Sequence, residues 1–249
     1  MTKIISLLNH KGGVGKTTSS ANIAAGLAIL GKHVLVIDLD PQANLTLHFG
    51  YKNESEANIY KALKGSVKLP VIPLNEKLDL VPSHLDLSAA ETELINEAGR
   101  EYLLKDLLKP IQKEYDYILI DCPPSLGLLT LNALSVSNIM LIPVELSSFA
   151  LAGMIKLFEV IEKVQKRLNE NLSDYRLLIT KVDKRKIVQR DIRDTLFERY
   201  KDKILDTSIN TNVALEEAQL VGQDIFQYNP SSSGAKDYEN VCNEILKLK

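Results

Sequence analysis

Residues 9–18 read Asn-His-Lys-Gly-Gly-Val-Gly-Lys-Thr-Thr and follow directly on the apolar run Ile4–Leu8. A short buried strand that breaks into a glycine-rich turn and then a helical segment, Thr17–Leu30, is suited to holding phosphate. Glycines let backbone N–H groups turn inward as an anion nest, and the helix N-terminus adds the positive end of its dipole. Lys16 can reach the β- and γ-phosphates, and the Thr17 hydroxyl is placed to ligate Mg2+. Gly12, Gly13, Val14, Gly15, Lys16, Thr17 and Thr18 are therefore the expected nucleotide contacts.

The standard spacing G-x-x-x-x-G-K-[ST] is not met, because His10 fills the slot of the first glycine. A second lysine, Lys11, opens the run instead. A flexible turn with incidental lysines would need strand, turn, Gly-Lys-Thr and helix to align by chance.

Two further acidic positions fit this loop. Asp38 and Asp40 close the strand Val34–Ile37, and strand alternation puts both on one side, facing the crevice at the carboxyl edge of a parallel sheet. One can hold a water on Mg2+ while the other orients an attacking water toward the γ-phosphate. A solvated turn aspartate is the plain alternative for each. Asp121 ends Tyr-Ile-Leu-Ile-Asp, four apolar residues and a carboxylate, the pattern of a magnesium-binding strand end. Pro123 and Pro124 stiffen the loop that follows, where they could relay the state of the γ-phosphate. Cys122 reads as a small buried hydrophobe. The histidines at 10, 33, 48 and 84 are too scattered to form a metal set.

These residues need a scaffold. Strands are expected at Ile4–Leu8, Val34–Ile37, Leu78–Val81, Tyr117–Ile120, Ile139–Val144 and Arg176–Thr180. Helices are expected at Thr17–Leu30, Ala57–Lys64 (capped near Ser55/Glu56), Tyr102–Lys109, Gly127–Ser135, Gly153–Asn169, Gln189–Tyr200, Asn212–Val221 and Ala235–Leu248. Strands this continuously apolar are buried on both faces. The expected fold is α/β, a single P-loop NTPase domain over residues 1–249. Its sheet is mostly parallel and twisted, with helices on both faces. Residues 65–100 are the least regular.

The composition is that of an ordinary globular chain: 249 residues, 45% hydrophobic, 25% charged, net charge −2. No apolar stretch suits a membrane span, no secretory n- and h-region opens the chain, and two cysteines show no metal spacing. A cytoplasmic setting is expected. Lys181–Lys203 departs from the average, with nine basic residues against five acidic ones. Lys184, Arg185 and Lys186 precede a helix on which Arg190 and Arg193 share a face. That surface could neutralise phosphates without reading sequence. Equally, Asp191, Asp194 and Glu198 could make it a solvated, ion-paired helix.

Lys-Gly-Gly-Val-Gly-Lys-Thr-Thr (11–18), Asp-Leu-Asp-Pro-Gln (38–42) and Ile-Asp-Cys-Pro-Pro-Ser (120–125) together resemble the ParA/Soj branch of the ParA–MinD family of deviant Walker A ATPases. Ile142-Pro143-Val144, Ala150–Gly153 and Pro230–Ala235 followed by Tyr238 extend the likeness along nearly the whole chain. The resemblance implies an ATP- and Mg2+-dependent sandwich homodimer in which Lys11 reaches the partner's ATP and Lys16 serves its own. Catalysis would rest on Lys11, Lys16 and Asp40, with Thr17, Asp38 and Asp121 organising Mg2+. The base would lie near Thr180–Asp183 and Ser208–Asn210, with Asn210 among its contacts. The implied partners are non-specific duplex DNA, held by the ATP dimer on the nucleoid, and a ParB-like centromere-binding activator that stimulates slow hydrolysis. Many relatives carry a Pro-Arg-Asn-Val-Arg stretch, but here 209–214 reads Ile-Asn-Thr-Asn-Val-Ala, which shifts the DNA surface to Lys184–Arg193. The alternative is a MinD-like positioning ATPase anchored to membrane or a protein cargo. The last helix, with Tyr238, Val241, Ile245 and Leu248 at core spacing, speaks against membrane.

Overall fold

All six apolar runs enter one sheet, joined by a two-residue edge strand. The computed structural model describes residues 1–52, 57–147, 150–183 and 185–248, side chains at 150–152 excepted. In chain order the elements are β1 (Lys3–Leu7), α1 (Lys16–Ile29), β2 (Val34–Asp38), α2 (Asn44–His48), α3 (Ile59–Leu63), β3 (Ile72–Pro73) and β4 (Leu78–Val81). They continue with α4 (Ala90–Glu93), α5 (Leu103–Leu108), β5 (Tyr117–Asp121), α6 (Leu128–Val136), β6 (Ile139–Glu145), α7 (Ala150–Arg167) and β7 (Asp174–Thr180). The last are α8 (Ile187–Tyr200), α9 (Val213–Leu220), α10 (Ile225–Tyr228) and α11 (Ser233–Lys247). Strand order is β3-β4-β2-β5-β1-β6-β7. Every pair is parallel except β3–β4 at the edge, where Pro73 lacks the donor that an inner strand would require.

Successive strand residues point to opposite faces, and the core divides accordingly. Ile4, Ile37, Ile118, Ile120 and Ile142 pack with Ile59, Leu104, Leu129 and Leu157 of α3, α5, α6 and α7. Ile5, Leu7, Val36, Leu119 and Leu141 pack with Ile23, Leu27, Leu45, Leu215 and Val241 of α1, α2, α9 and α11. Both faces are covered, as the apolar strands demand. Helix α1 comes so close to α11 that a Cβ on Gly26 would lie 2.6 Å from Cys242 Sγ. Burial pushes the Cys242 thiol up to about 12 and Cys122 higher still, so both behave as small apolar groups.

Several boundaries differ from expectation for local reasons. Helix α3 starts at Ile59, capped by Asn58, whose Oδ1 accepts from Lys61 N at 3.2 Å. The expected Ser55/Glu56 cap lies outside the described residues. The sequence reading lacks α2 altogether, because five residues are too few to show a period. Strand β2 ends at Asp38 and the chain turns there, the Asp40 N–H donating to Asp38 Oδ1 at 3.1 Å. Asp38 and Asp40 are thus neighbours through a turn, and the strand alternation inferred for them does not hold. The histidines are dispersed: His10 packs on Gly153, while His48 is buried and held neutral, its pKa pushed down by burial to about 4. Among the described residues no helix is long and apolar enough to cross a membrane.

Candidate active site

The loop between β1 and α1 owes its shape to glycine. Gly13 and Gly15 have φ of +75° and +88°, a region strained for residues with a Cβ, and Gly15 is the N-cap of α1. No acidic residue occupies the first turn of α1, so the positive end of its dipole is left for an anion. Neighbouring strands brace the loop. Asn9 Nδ2 donates to Pro143 O (2.8 Å), Asn9 Oδ1 accepts from Lys11 N (3.0 Å), and Thr180 Oγ1 donates to Val14 O (2.8 Å). Beside the loop is a cavity of about 480 Å3. It runs from Gly12, Gly13, Gly15, Lys16, Thr17 and Thr18 past Asp40 and Pro124 to Thr180, Asn210, Leu215 and Tyr238.

The acidic residues meet here because β2 and β5 are in register, with Asp38 opposite Asp121. Asp121 accepts from Thr17 Oγ1 (2.7 Å) and Ser20 Oγ (3.0 Å). Asp38 Oδ2 accepts from Thr46 N (2.8 Å) and Thr46 Oγ1 (2.7 Å). Thr46 Oγ1 in turn accepts from Ser83 N (3.0 Å), and Ser83 Oγ donates to Asp40 O (2.8 Å). Burial, then the charge of Asp121, pushes Asp38 up to about 7. Burial likewise raises Asp121 to about 6, against the pull of Thr17, Ser20 and the Lys16 charge. Two buried carboxylates and a hydroxyl form an oxygen-only set that fits a hard divalent cation such as Mg2+. No cluster of three or more His, Cys, Asp or Glu able to hold a metal occurs among the described residues.

The two lysines differ. Lys16 is buried, its Nζ donating to Lys11 O at 3.4 Å within its own loop. Lys11 turns away, its Nζ on Glu145 Oε2 (3.0 Å) and Ser147 Oγ (3.3 Å) at the end of β6. With side chains 41% and 32% exposed, that ion pair is worth at most about 1 kcal/mol and holds Lys11 lightly. Asp40, facing the cavity, accepts from Gln42 N at 3.0 Å. Asn210 lines the far end, its N and Nδ2 both donating to Asp237 Oδ2 (3.0 and 2.9 Å).

The basic segment is tied to this far end. Val182 N donates to Ile209 O (3.0 Å) and Thr211 N to Val182 O (3.0 Å). Lys184 lies outside the described residues. Arg185 forks onto Asp183 through Nε (2.8 Å) and Nη2 (2.9 Å), while Arg193 stacks over Phe197 at 4.9 Å. Lys186 and Arg190 are exposed, flanking Ile187 and Val188, which are exposed as well. The structure thus lines one cavity with the loop, Asp40 and Asn210, buries Asp121 behind Thr17 with Asp38 opposite it, and ties the basic segment to the Asn210 end. Sequence reasoning missed Glu145, Ser147, Thr46, Ser83 and Asp237. Glu145 alone carried a signal, as an acidic residue ending an apolar strand.

Fold and site define a P-loop ATPase with an additional lysine ahead of its loop. The AAA domain family profile matches residues 2–174. The sporulation initiation inhibitor protein Soj of Bacillus subtilis is 41% identical, the match covering 98% of each chain. Cobyrinic acid a,c-diamide synthase of Mycobacterium smegmatis, solved with an ATP analogue and magnesium, superposes with a TM-score of 0.88 at 31% identity over 99% of this chain and 95% of that one. A Borrelia burgdorferi protein described as a plasmid partition protein, bound to AMPPNP, gives 0.84 at 31% identity over 99% of each. The chain belongs to the ParA/Soj family of deviant Walker A partition ATPases.

Proposed function

We propose that this chain binds ATP and Mg2+ in the cavity, closes as an ATP-dependent homodimer, and in that state holds duplex DNA non-specifically until a ParB-like activator stimulates hydrolysis. The observation that carries the reading is the division of labour between the lysines: Lys16 is committed to its own loop, while Lys11 points away from it, held by a weak ion pair to Glu145 and a bond to Ser147. Two opposed triphosphates repel, and a lysine lent across the interface offsets that repulsion.

In this reading Gly12, Gly13, Val14, Gly15 and Thr18 hold the phosphates through the backbone nest, with Lys16 on the outer ones. Bound Mg2+ supplies charge neutralisation at the transferring phosphoryl group. Thr17, Asp38 and Asp121 hold it, with Thr46 and Ser20 orienting the carboxylates. Asp40 orients the attacking water, and Pro124 at the cavity edge senses the γ-phosphate. Lys186, Arg190 and Arg193, with Lys184 and Arg185, neutralise DNA phosphates. Helix α11 uses Tyr238, Val241 and Ile245 in the core, which supports DNA rather than membrane as the anchor and a place on the nucleoid in the cytoplasm.

The buried carboxylates give the test. Their pKa values in the folded chain lie above the unfolded value of 3.8, so without ligand their contribution to stability falls as pH rises through about 4 to 7. Holding the cation requires both ionised, so binding must release protons. Calorimetry of Mg2+–ATP binding at pH 6, in buffers of different ionisation enthalpy, is expected to show that release and to lose it by pH 8. Binding that releases no protons at pH 6, or no binding at either pH, would overturn the assignment of the site.

A further inference from the structure

We infer that Asp237 is a specificity-determining, positioning residue: by fixing which way the Asn210 amide faces, it makes the cavity select adenine over guanine. The inference rests on the proposal that the cavity holds a nucleoside triphosphate. With the phosphates on the β1–α1 loop, the base falls at the other end of the cavity, where Asn210 is part of the wall.

An asparagine amide offers a donor and an acceptor, and only its surroundings decide which is presented. Here Asn210 Nδ2 donates to Asp237 Oδ2 at 2.9 Å, and the backbone N of the same residue donates to the same oxygen at 3.0 Å. The reversed amide would set Oδ1 against the oxygen that already accepts the Asn210 backbone N–H, one acceptor facing another. Asp237 itself is held in α11, whose next residue, Tyr238, is buried with its hydroxyl 3.0 Å from Ser19 Oγ of α1. The carboxylate therefore cannot follow a rotating amide. Among the described residues Asn210 Oδ1 has no hydrogen bond, which leaves it as the acceptor for the base. Adenine presents an exocyclic amine donor where guanine presents a carbonyl. Guanine would set two acceptors against each other, and a site built for one hydrogen bond discriminates well against a base lacking the partner.

Asp237→Ala removes the one oxygen that fixes the amide. The Asn210 side chain is then free to rotate and to present its NH2 to the guanine carbonyl as readily as its Oδ1 to the adenine amine. The experiment is titration of the full chain with ATP and with GTP, each with Mg2+, for wild type, Asp237→Ala and Asn210→Ser. Thermal melting without nucleotide serves as the control for folding. Wild type is expected to favour ATP by about tenfold or more. Asp237→Ala and Asn210→Ser are each expected to bring that ratio close to parity. A merely structural Asp237 would weaken both nucleotides together and leave the ratio alone. An unchanged ratio in both variants, with ATP still bound, overturns this inference and leaves the ATP site standing. Failure of wild type to bind either nucleotide overturns both.

Discussion

Lys11→Ala is expected to keep its affinity for ATP and lose ATP-driven dimerisation. In the free chain the Lys11 side chain bonds Glu145 and Ser147 and, among the described residues, makes no hydrogen bond to its own phosphate nest, so its truncation leaves the proposed nucleotide contacts of Lys16 and Gly12–Thr18 in place. In the closed dimer the same ammonium would be desolvated between two triphosphates. Truncating one partner of such a buried charge pair costs about 2–5 kcal/mol, at least about thirtyfold in dimer dissociation constant. Light scattering after size exclusion, with ATP and with ADP, reads this directly. A Lys11→Ala chain that dimerises with ATP at wild-type concentrations would remove Lys11 from the interface.

The second large effect is at Asp40. Its carboxylate faces the cavity, while the turn that carries it is fixed by the Asp40 N–H bond to Asp38 and by the Ser83 bond to Asp40 O. Those fixing contacts are made by the backbone of Asp40, so Asp40→Ala gives up the carboxylate proposed to orient water and its bond from Gln42 N, and keeps the backbone bonds of the turn. Hydrolysis is expected to fall by about 10² to 10⁴-fold, the usual range for a positioned proton acceptor, with ATP binding retained. Single-turnover measurement separates the two. Turnover equal to wild type would show that another group orients the water.

What could be read from the sequence follows from how local each determinant is. The phosphate loop was legible because strand, glycines, lysine and helix lie within one short stretch, each constrained by backbone geometry. Asp38 and Asp121 were legible as carboxylates ending apolar strands of a parallel sheet, and the register of β2 with β5 puts the two opposite each other. The partners of these residues were not legible. Glu145 lies 134 residues from Lys11, Ser83 lies 37 from Thr46, and Asp237 lies 27 from Asn210. No periodicity or motif joins such pairs; only the folded chain does. The turn after Asp38 was misread because period-two alternation was carried past the end of the strand. The basic segment shows another limit. A count of charges treats Arg185 and Arg190 alike, whereas Arg185 is forked onto Asp183 and holds its carboxyl down to about 2.

The central claim is that ATP turns this chain into a DNA-bound dimer. The most direct measurement is binding of a non-specific duplex to Asp40→Ala with ATP, with ADP and without nucleotide, across a salt series, repeated with Arg190 and Arg193 replaced by alanine. Binding is expected only with ATP. It should weaken steeply with salt, the slope falling by about one for each phosphate contact removed. Equal binding in all three states, or none in any while the ATP dimer forms, would contradict it.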